Sequence, residues 1–370
     1  MRAYVLNGIG DIALCDVAKP ELDGSGITGN EGHASVKDED CVILKVRAAG
    51  ICGSDIPRIY KTGAYHHPLI PGHEFSGEVI ETGKNVHPGI AGKRVGVFPL
   101  IPCMSCLSCR QSHFEMCKGY NYLGSRCDGG FAEYVKVPAA NLLELPDEVS
   151  FEQAAMLEPM AVSVHSVRQC GLDMHPSDEV RNMSIAVCGM GTIGLLTVAF
   201  LKGFGYENVF CIGNKPFQKE MVTGLGIPED HYLDSGNDDP VGVITEMTDG
   251  AGVSYYFECV GRNESVSLGL NVLGASGRLQ LVGNPASDML LAKEEYWKIL
   301  RKQFVLTGTW NSSYTRSSDD DWHMVTGMVK SGKVSPERLI THLLPFEELG
   351  KGFEMMRDRS DNYVKVMCRI

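Results

Sequence analysis

Residues Met183–Phe204 read MSIAVCGMGTIGLLTVAFLKGF. Met183–Cys188 is a short apolar run, the pattern of a buried strand. Glycines follow at 189, 191 and 194, and Gly194–Phe204 continues as a helix. G-x-G-x-x-G alone is a weak signal; set between a strand and a helix it is a strong one. Gly189 permits the tight turn, Gly191 lets a pyrophosphate approach the backbone, and Gly194 packs helix on strand. The helix N-terminus then faces the phosphates with its partial positive charge. Gly189, Gly191, Thr192, Ile193 and Gly194 are therefore expected to hold a dinucleotide.

Outward from this turn, strands are expected over Asn208–Ile212, Ser254–Glu258 and Gly277–Val282, and helices over Phe217–Leu225 and Ser265–Leu273. Such alternation makes a doubly wound parallel sheet covered by helices on both faces, an α/β Rossmann arrangement. Ligands gather at the carboxyl ends of its strands. Val260, and the run Val282, Gly283 and Asn284, are loop candidates there. About 20 residues past the turn an acidic side chain should accept from the ribose 2′-OH of NAD. Gly213 stands at that place, followed by Asn214 and Lys215. A 2′-phosphate would meet no like charge and would find two donors, so NADP(H) is expected over NAD(H). The competing reading makes Lys215 a solvated helix-start residue, with NAD still bound.

Residues 1–158 have a different texture. Short runs such as Val42–Ala48, Gly77–Glu81 and Arg94–Phe98 are separated by Gly and Pro, which indicates a β-rich domain. Asp23–Asp40 is polar and Gly-rich and is expected to be a loop. Residues 306–370 do not continue the parallel-sheet alternation.

The segment CMSCLSCRQSHFEMC carries Cys103, Cys106, Cys109 and Cys117. This spacing lets one loop wrap four thiolates around a tetrahedral ion, a closed structural zinc site. An iron–sulfur cluster of the Cys-x2-Cys-x2-Cys type would continue with x3-Cys-Pro, and this chain does not. His113 in place of one thiolate, and four unrelated cysteines, are the weaker readings.

A second set is dispersed: Cys52 in GICGSD, His73 and Glu74 in GHE, and Glu158 before Pro159. A thiolate, an imidazole and a carboxylate leave a fourth position open, as a catalytic zinc requires. A Lewis acid there eases loss of an alcohol proton, after which the carbon can expel hydride. Singly, each residue is weak evidence; a lone histidine is more often an ordinary satisfied one.

Composition excludes several classes. The 370 residues carry 34 basic and 46 acidic side chains, a net charge of −12, which argues against nucleic-acid or anionic-membrane partners. No apolar run reaches the ~18 residues of a membrane helix, and Met1–Gly10 lacks the apolar stretch of a signal peptide. The thirteen cysteines are expected to be reduced, in the cytoplasm.

The order GICGSD, GHEFSG, the cysteine lobe, DGGFAEY (Asp128–Tyr134) and EP resembles the zinc-containing medium-chain dehydrogenase superfamily, across essentially the whole chain. CGSDIPRIYKTGAYHHP, GSRCDGGFAEY and ILRKQFVLTGTW (Ile299–Trp310) resemble its polyol-phosphate branch. The resemblance implies a GroES-like β-rich catalytic domain over 1–159, completed by 306–370, and a Rossmann domain over 160–305. It implies two zinc ions per chain, one catalytic and one structural. Cys52 and His73 match the catalytic ligands, Glu158 a carboxylate that completes or approaches them, and Glu74 one that ligates in some members. Ser54 matches the hydroxyl that starts a proton relay. The loops of Val260, Val282, Gly283 and Asn284 match those facing the nicotinamide and its ribose. Many relatives carry histidine five residues past the ligand cysteine; Pro57 stands there, so the proton route must differ, with water, the ribose, His66 or His67 as candidates. Arg58, Lys61, Arg126 and, more remotely, Lys302 are candidates for a substrate phosphate.

The expected activity is hydride transfer between a nicotinamide cofactor and a secondary alcohol of a small sugar-alcohol phosphate, in a homo-dimer or homo-tetramer. Alternatives are an unphosphorylated, sorbitol-like polyol substrate, threonine 3-dehydrogenation, or an inert NADPH-binding protein.

Overall fold

The computed structural model describes residues 1–29, 32–285 and 287–370. Residues 30 and 31 of the loop expected over Asp23–Asp40 lie outside them. The chain divides into two compact units, Met1–Glu158 with Ser312–Ile370, and Pro159–Asn311.

The first unit is built on a seven-stranded sheet. Its central strand, Cys41–Ile51, is an apolar run that pairs antiparallel with Glu74–Thr82, Tyr134–Pro138 and the C-terminal strand Lys365–Arg369. Bulges near Ile43 and Val46 shift its register against Glu74–Thr82. Ile340–Pro345 adds to the C-terminal strand in parallel, so the last residues of the chain complete the sheet begun by the first fifty. Val42, Leu44 and Val46 meet Phe75, Phe131 and Phe353 in its core. Ser150 opens the helix Phe151–Ala155 with a capping box to Gln153.

The second unit holds six strands in the order Tyr232–Asp234, Val209–Gly213, Ile185–Cys188, Val253–Glu258, Leu273–Leu281 and Val305–Gly308. All five pairings are parallel. The chain leaves the central strand to one side, then returns to fill the other. That reversal is the switch point where such sheets take ligands. The second unit runs to Asn311, a few residues past the 305 expected for the Rossmann domain, and Val305–Gly308 pairs with Leu273–Leu281. Val305 and Leu306 of this edge strand are exposed. No helix among the described residues is long and apolar enough to cross a membrane.

Candidate active site

Two strands of the first unit deliver the dispersed set. Cys41–Ile51 ends just before Cys52, and Glu74–Thr82 begins just after His73, with Gly50 opposite Glu74. Ligand atoms of Cys52, His73 and Glu74 consequently lie within 4.8 Å of one another. Gly50 is required by this approach: a Cβ there would stand 2.6 Å from Glu74 Oε2. Gly72 adopts φ +96°, and the Phe131 ring occupies the space its side chain would need.

Asp55, fully buried, braces the group from behind. It accepts from Cys52 N at 3.1 Å, pairs with Arg58 at 2.6 Å and faces His73 Nδ1 at 3.4 Å. The last contact is an ion-pair approach that is not aligned as a hydrogen bond. Burial disfavours a charged His73, but Asp55 and Cys52 outweigh it and hold the ring's pKa well above its ordinary value. A carboxylate in this place fixes a ligating imidazole and raises its basicity. Ser54 Oγ donates to Cys52 Sγ at 3.3 Å.

The two remaining carboxylates are held by different donors. Glu74 is ion-paired with Lys365, whose Nζ also donates to Ile51 O at 3.1 Å. Glu158 lies outside the 4.8 Å group and accepts from the Tyr122 hydroxyl at 3.2 Å. Burial pushes the Glu158 carboxyl up to about 7, with Glu74 adding to the rise and His73 opposing it. One ammonium thus faces a thiol and two buried carboxylates beside an imidazole. That donor set suits a divalent, borderline-soft cation such as zinc.

Cys103, Cys106, Cys109 and Cys117 also converge within 4.8 Å. The sulfurs stand 3.5 Å apart for Cys106–Cys109 and 3.9 Å apart for Cys103–Cys109 and Cys106–Cys117. Four sulfurs ~2.3 Å from a tetrahedral zinc stand ~3.8 Å apart, so the lobe fits that ion. His113 faces Glu115 at 3.3 Å and is not in the group.

In the second unit the glycines are placed as their spacing implies. Gly189 has φ +99°, and a Cβ on Gly194 would stand 1.8 Å from Gly189 O. Gly191 caps the helix Thr192–Phe204, with no heavy atom within 4 Å of a Cβ built there. That open cradle beside helix N–H groups fits a pyrophosphate. Gly213 ends the next strand, with Asn214 and Lys215 exposed beyond it. Glu258, buried and not singled out by sequence, accepts from Val260 N, Gly261 N and Ser265 Oγ and so latches the loop carrying Val260. Gly283 lies against that loop, its absent Cβ 2.2 Å from Gly261 N. Val282 N donates to Glu258 O, and Asn284 follows, exposed.

The basic candidates separate. Arg58 is committed to Asp55. Lys302 donates to Leu273 O at 2.6 Å within the second unit. Lys61 is exposed on the turn Arg58–Thr62. Arg126 lies between the rings of Tyr65 and Tyr120, at 4.4 and 4.3 Å. Its contacts are to Tyr120 O and Tyr65 Oη, and among the described residues it has no carboxylate partner within 4 Å. His66 spans the carbonyls of Pro68 and Arg126, and His67 Nδ1 faces Leu6 O.

Residues 38–147 match the family described as alcohol dehydrogenase GroES-like domain, and residues 192–330 match zinc-binding dehydrogenase. Galactitol 1-phosphate 5-dehydrogenase of Escherichia coli K12 is 31% identical over 320 residues, 85% of this chain and 89% of that protein. The chain belongs to the zinc-binding alcohol dehydrogenase family. L-threonine 3-dehydrogenase of Bacillus licheniformis is also 31% identical, over 86% of this dehydrogenase and 89% of its own length. The crystal structure of galactitol-1-phosphate dehydrogenase from Escherichia coli superposes with TM-score 0.88 at 28% identity, covering all of both chains. This dehydrogenase is thus a zinc-binding, NAD(P)-linked oxidoreductase of the medium-chain type.

Proposed function

We propose that this dehydrogenase interconverts a secondary alcohol of a sugar-alcohol phosphate and the corresponding ketose phosphate, with NADP(H) preferred to NAD(H). The observation that carries the substrate class is Arg126. Two tyrosine rings hold its guanidinium in place, and no carboxylate among the described residues pairs with it. A preorganised fork of N–H donors suits a phosphate dianion. The cofactor preference is supported by Gly213 in the acidic position, beside Asn214 and Lys215.

Cys52, His73 and Glu158 are proposed to hold the catalytic zinc, with Glu74 held back by Lys365. The four-cysteine lobe would hold the second zinc of the chain. When bound, the metal would supply Lewis acidity to the alcohol oxygen and the nicotinamide would supply the hydride-accepting ring. Ser54 Oγ would accept the alcohol proton while its own hydroxyl proton, given to Cys52 Sγ in this structure, passes onward. Pro57 offers no imidazole to pass it on, and the ring nitrogens of His66 and His67 that contact backbone carbonyls are occupied there. Solvent or the cofactor ribose is left as the proton's route.

The donor set favours an enzyme over an inert NADPH binder. Arg126→Ala tests the substrate class: KM should rise for a sugar-alcohol phosphate and stay unchanged for its unphosphorylated analogue. Equal effects on both would remove Arg126 from this role.

We place the protein in the cytoplasm, which suits thirteen free cysteines. A homo-dimer or homo-tetramer is supported by the edge strand Val305–Gly308, with Val305 and Leu306 exposed and Trp297 and Leu300 exposed just before it. Apolar edges of this kind pair with their own copy about a two-fold axis. Light scattering on wild type and Leu306→Lys measures the assembly.

A further inference from the structure

The space beside Gly213 is filled. A Cβ on this residue would stand 2.6 Å from Gln218 Oε1, 2.6 Å from the Tyr232 hydroxyl oxygen and 2.9 Å from Tyr232 Cε2. Real Cβ atoms do not approach so closely, so one of the neighbours would have to move.

Neither neighbour is free to move cheaply. Gln218 Oε1 accepts from Asn214 N at 3.0 Å, and its Nε2 donates to Met190 O at 3.2 Å. The side chain therefore ties the glycine turn to the end of the next strand. The Tyr232 hydroxyl donates to Lys215 O at 2.9 Å and accepts from Lys215 N at 3.3 Å. Gln218 is 9% exposed and Tyr232 is 7% exposed, so displacing either would leave buried polar groups unpaired. They come from different elements, the helix Pro216–Gly224 and the edge strand Tyr232–Asp234.

Both side chains are neutral. The nearest acid in the register is Asp234, opposite Gly213, and its carboxylate is turned to Gly236 N and Asn237 Nδ2. Lys215 brings the local positive charge, its Nζ 5.7 Å from the centre of the Phe217 ring.

We propose that Gln218 and Tyr232 are cofactor-specificity residues of this dehydrogenase. They occupy the volume that a carboxylate at position 213 would need, so this position alone cannot turn the ribose site toward NAD(H). The proposal rests on the NADP(H) reading above for its biological sense, but not for its test. Its measurable consequence is coupling: substitutions at 213 and at the two wall residues must be non-additive.

The test uses purified holoenzyme and two readouts, melting temperature and the equilibrium Kd of NADH and NADPH by nicotinamide fluorescence. Gly213→Asp should melt lower than wild type and bind NADH within about twofold of wild type. Gly213→Asp combined with Gln218→Ala and Tyr232→Leu should bind NADH at least about tenfold tighter than Gly213→Asp alone. A tenfold gain from Gly213→Asp by itself, or no gain in a folded triple variant, overturns the proposal. If the triple variant does not fold, Gly213→Ala and Gln218→Ala decide it. A double variant whose melting temperature falls by less than the sum of the two singles supports the wall; strict additivity overturns it. A wild type that binds NADH more tightly than NADPH would instead defeat the cofactor reading and leave the coupling result standing.

Discussion

Lys365, on the last strand of the chain, is ion-paired with Glu74, the residue after His73, and both side chains are at most 2% exposed. The pair neutralises one of two carboxylates at the proposed zinc, whereas Glu158 accepts its hydrogen bond from the neutral Tyr122 phenol. Removing one member of a buried pair leaves an uncompensated charge and costs about 3–5 kcal/mol. Lys365→Met should lower stability by about that amount in urea titrations, and adding Glu74→Gln should restore part of it. A double variant no more stable than Lys365→Met would show that the charge of Glu74 is not what Lys365 balances.

The two metal groups should separate on mutation. Plasma emission on wild type is expected to find about two zinc ions per chain. Cys103→Ser should lose one of them together with thermal stability, because a closed tetrahedral site contributes folding energy. Cys52→Ser should lose the other together with turnover, while the melting temperature falls far less. Chelation should abolish activity and added zinc should restore it. A protein that turns over unchanged after losing the Cys52 metal has a different chemistry.

Lys136 pairs with the buried Asp38 at 2.6 Å. Burial alone would push the Asp38 carboxyl up; the Lys136 ammonium and the Gly26 and Gly24 N–H groups outweigh it and hold the pKa below the ordinary range. A carboxyl depressed on folding contributes stability above its unfolded value, about pH 4, and loses it as pH falls through the folded value. Asp38→Asn should therefore be less stable than wild type at neutral pH, with the gap closing in acid. A gap that stays constant with pH would exclude this ion pair as its source.

Local features were legible in the sequence. The glycine turn and the cysteine lobe are each closed within a few residues, so their geometry could be read from spacing. Cys52, His73 and Glu74 were visible as residue types, yet only the register of two strands brings them together. Lys365 lies 291 residues from Glu74, and its pairing depends on the C-terminal strand returning beside Cys41–Ile51. Nothing local announces that. Tyr122 and Gln218 were unreadable for the same reason: each matters through a partner set by tertiary packing. Glycine at 213 was visible, but the filled space that requires it was not.

Initial-rate kinetics on a panel of pentitol and hexitol phosphates, their unphosphorylated polyols and L-threonine, with both cofactors, tests the central claim most directly. The expected result is a highest kcat/KM for a phosphorylated polyol with NADP, lost on chelation. A higher kcat/KM for L-threonine or an unphosphorylated polyol would contradict it.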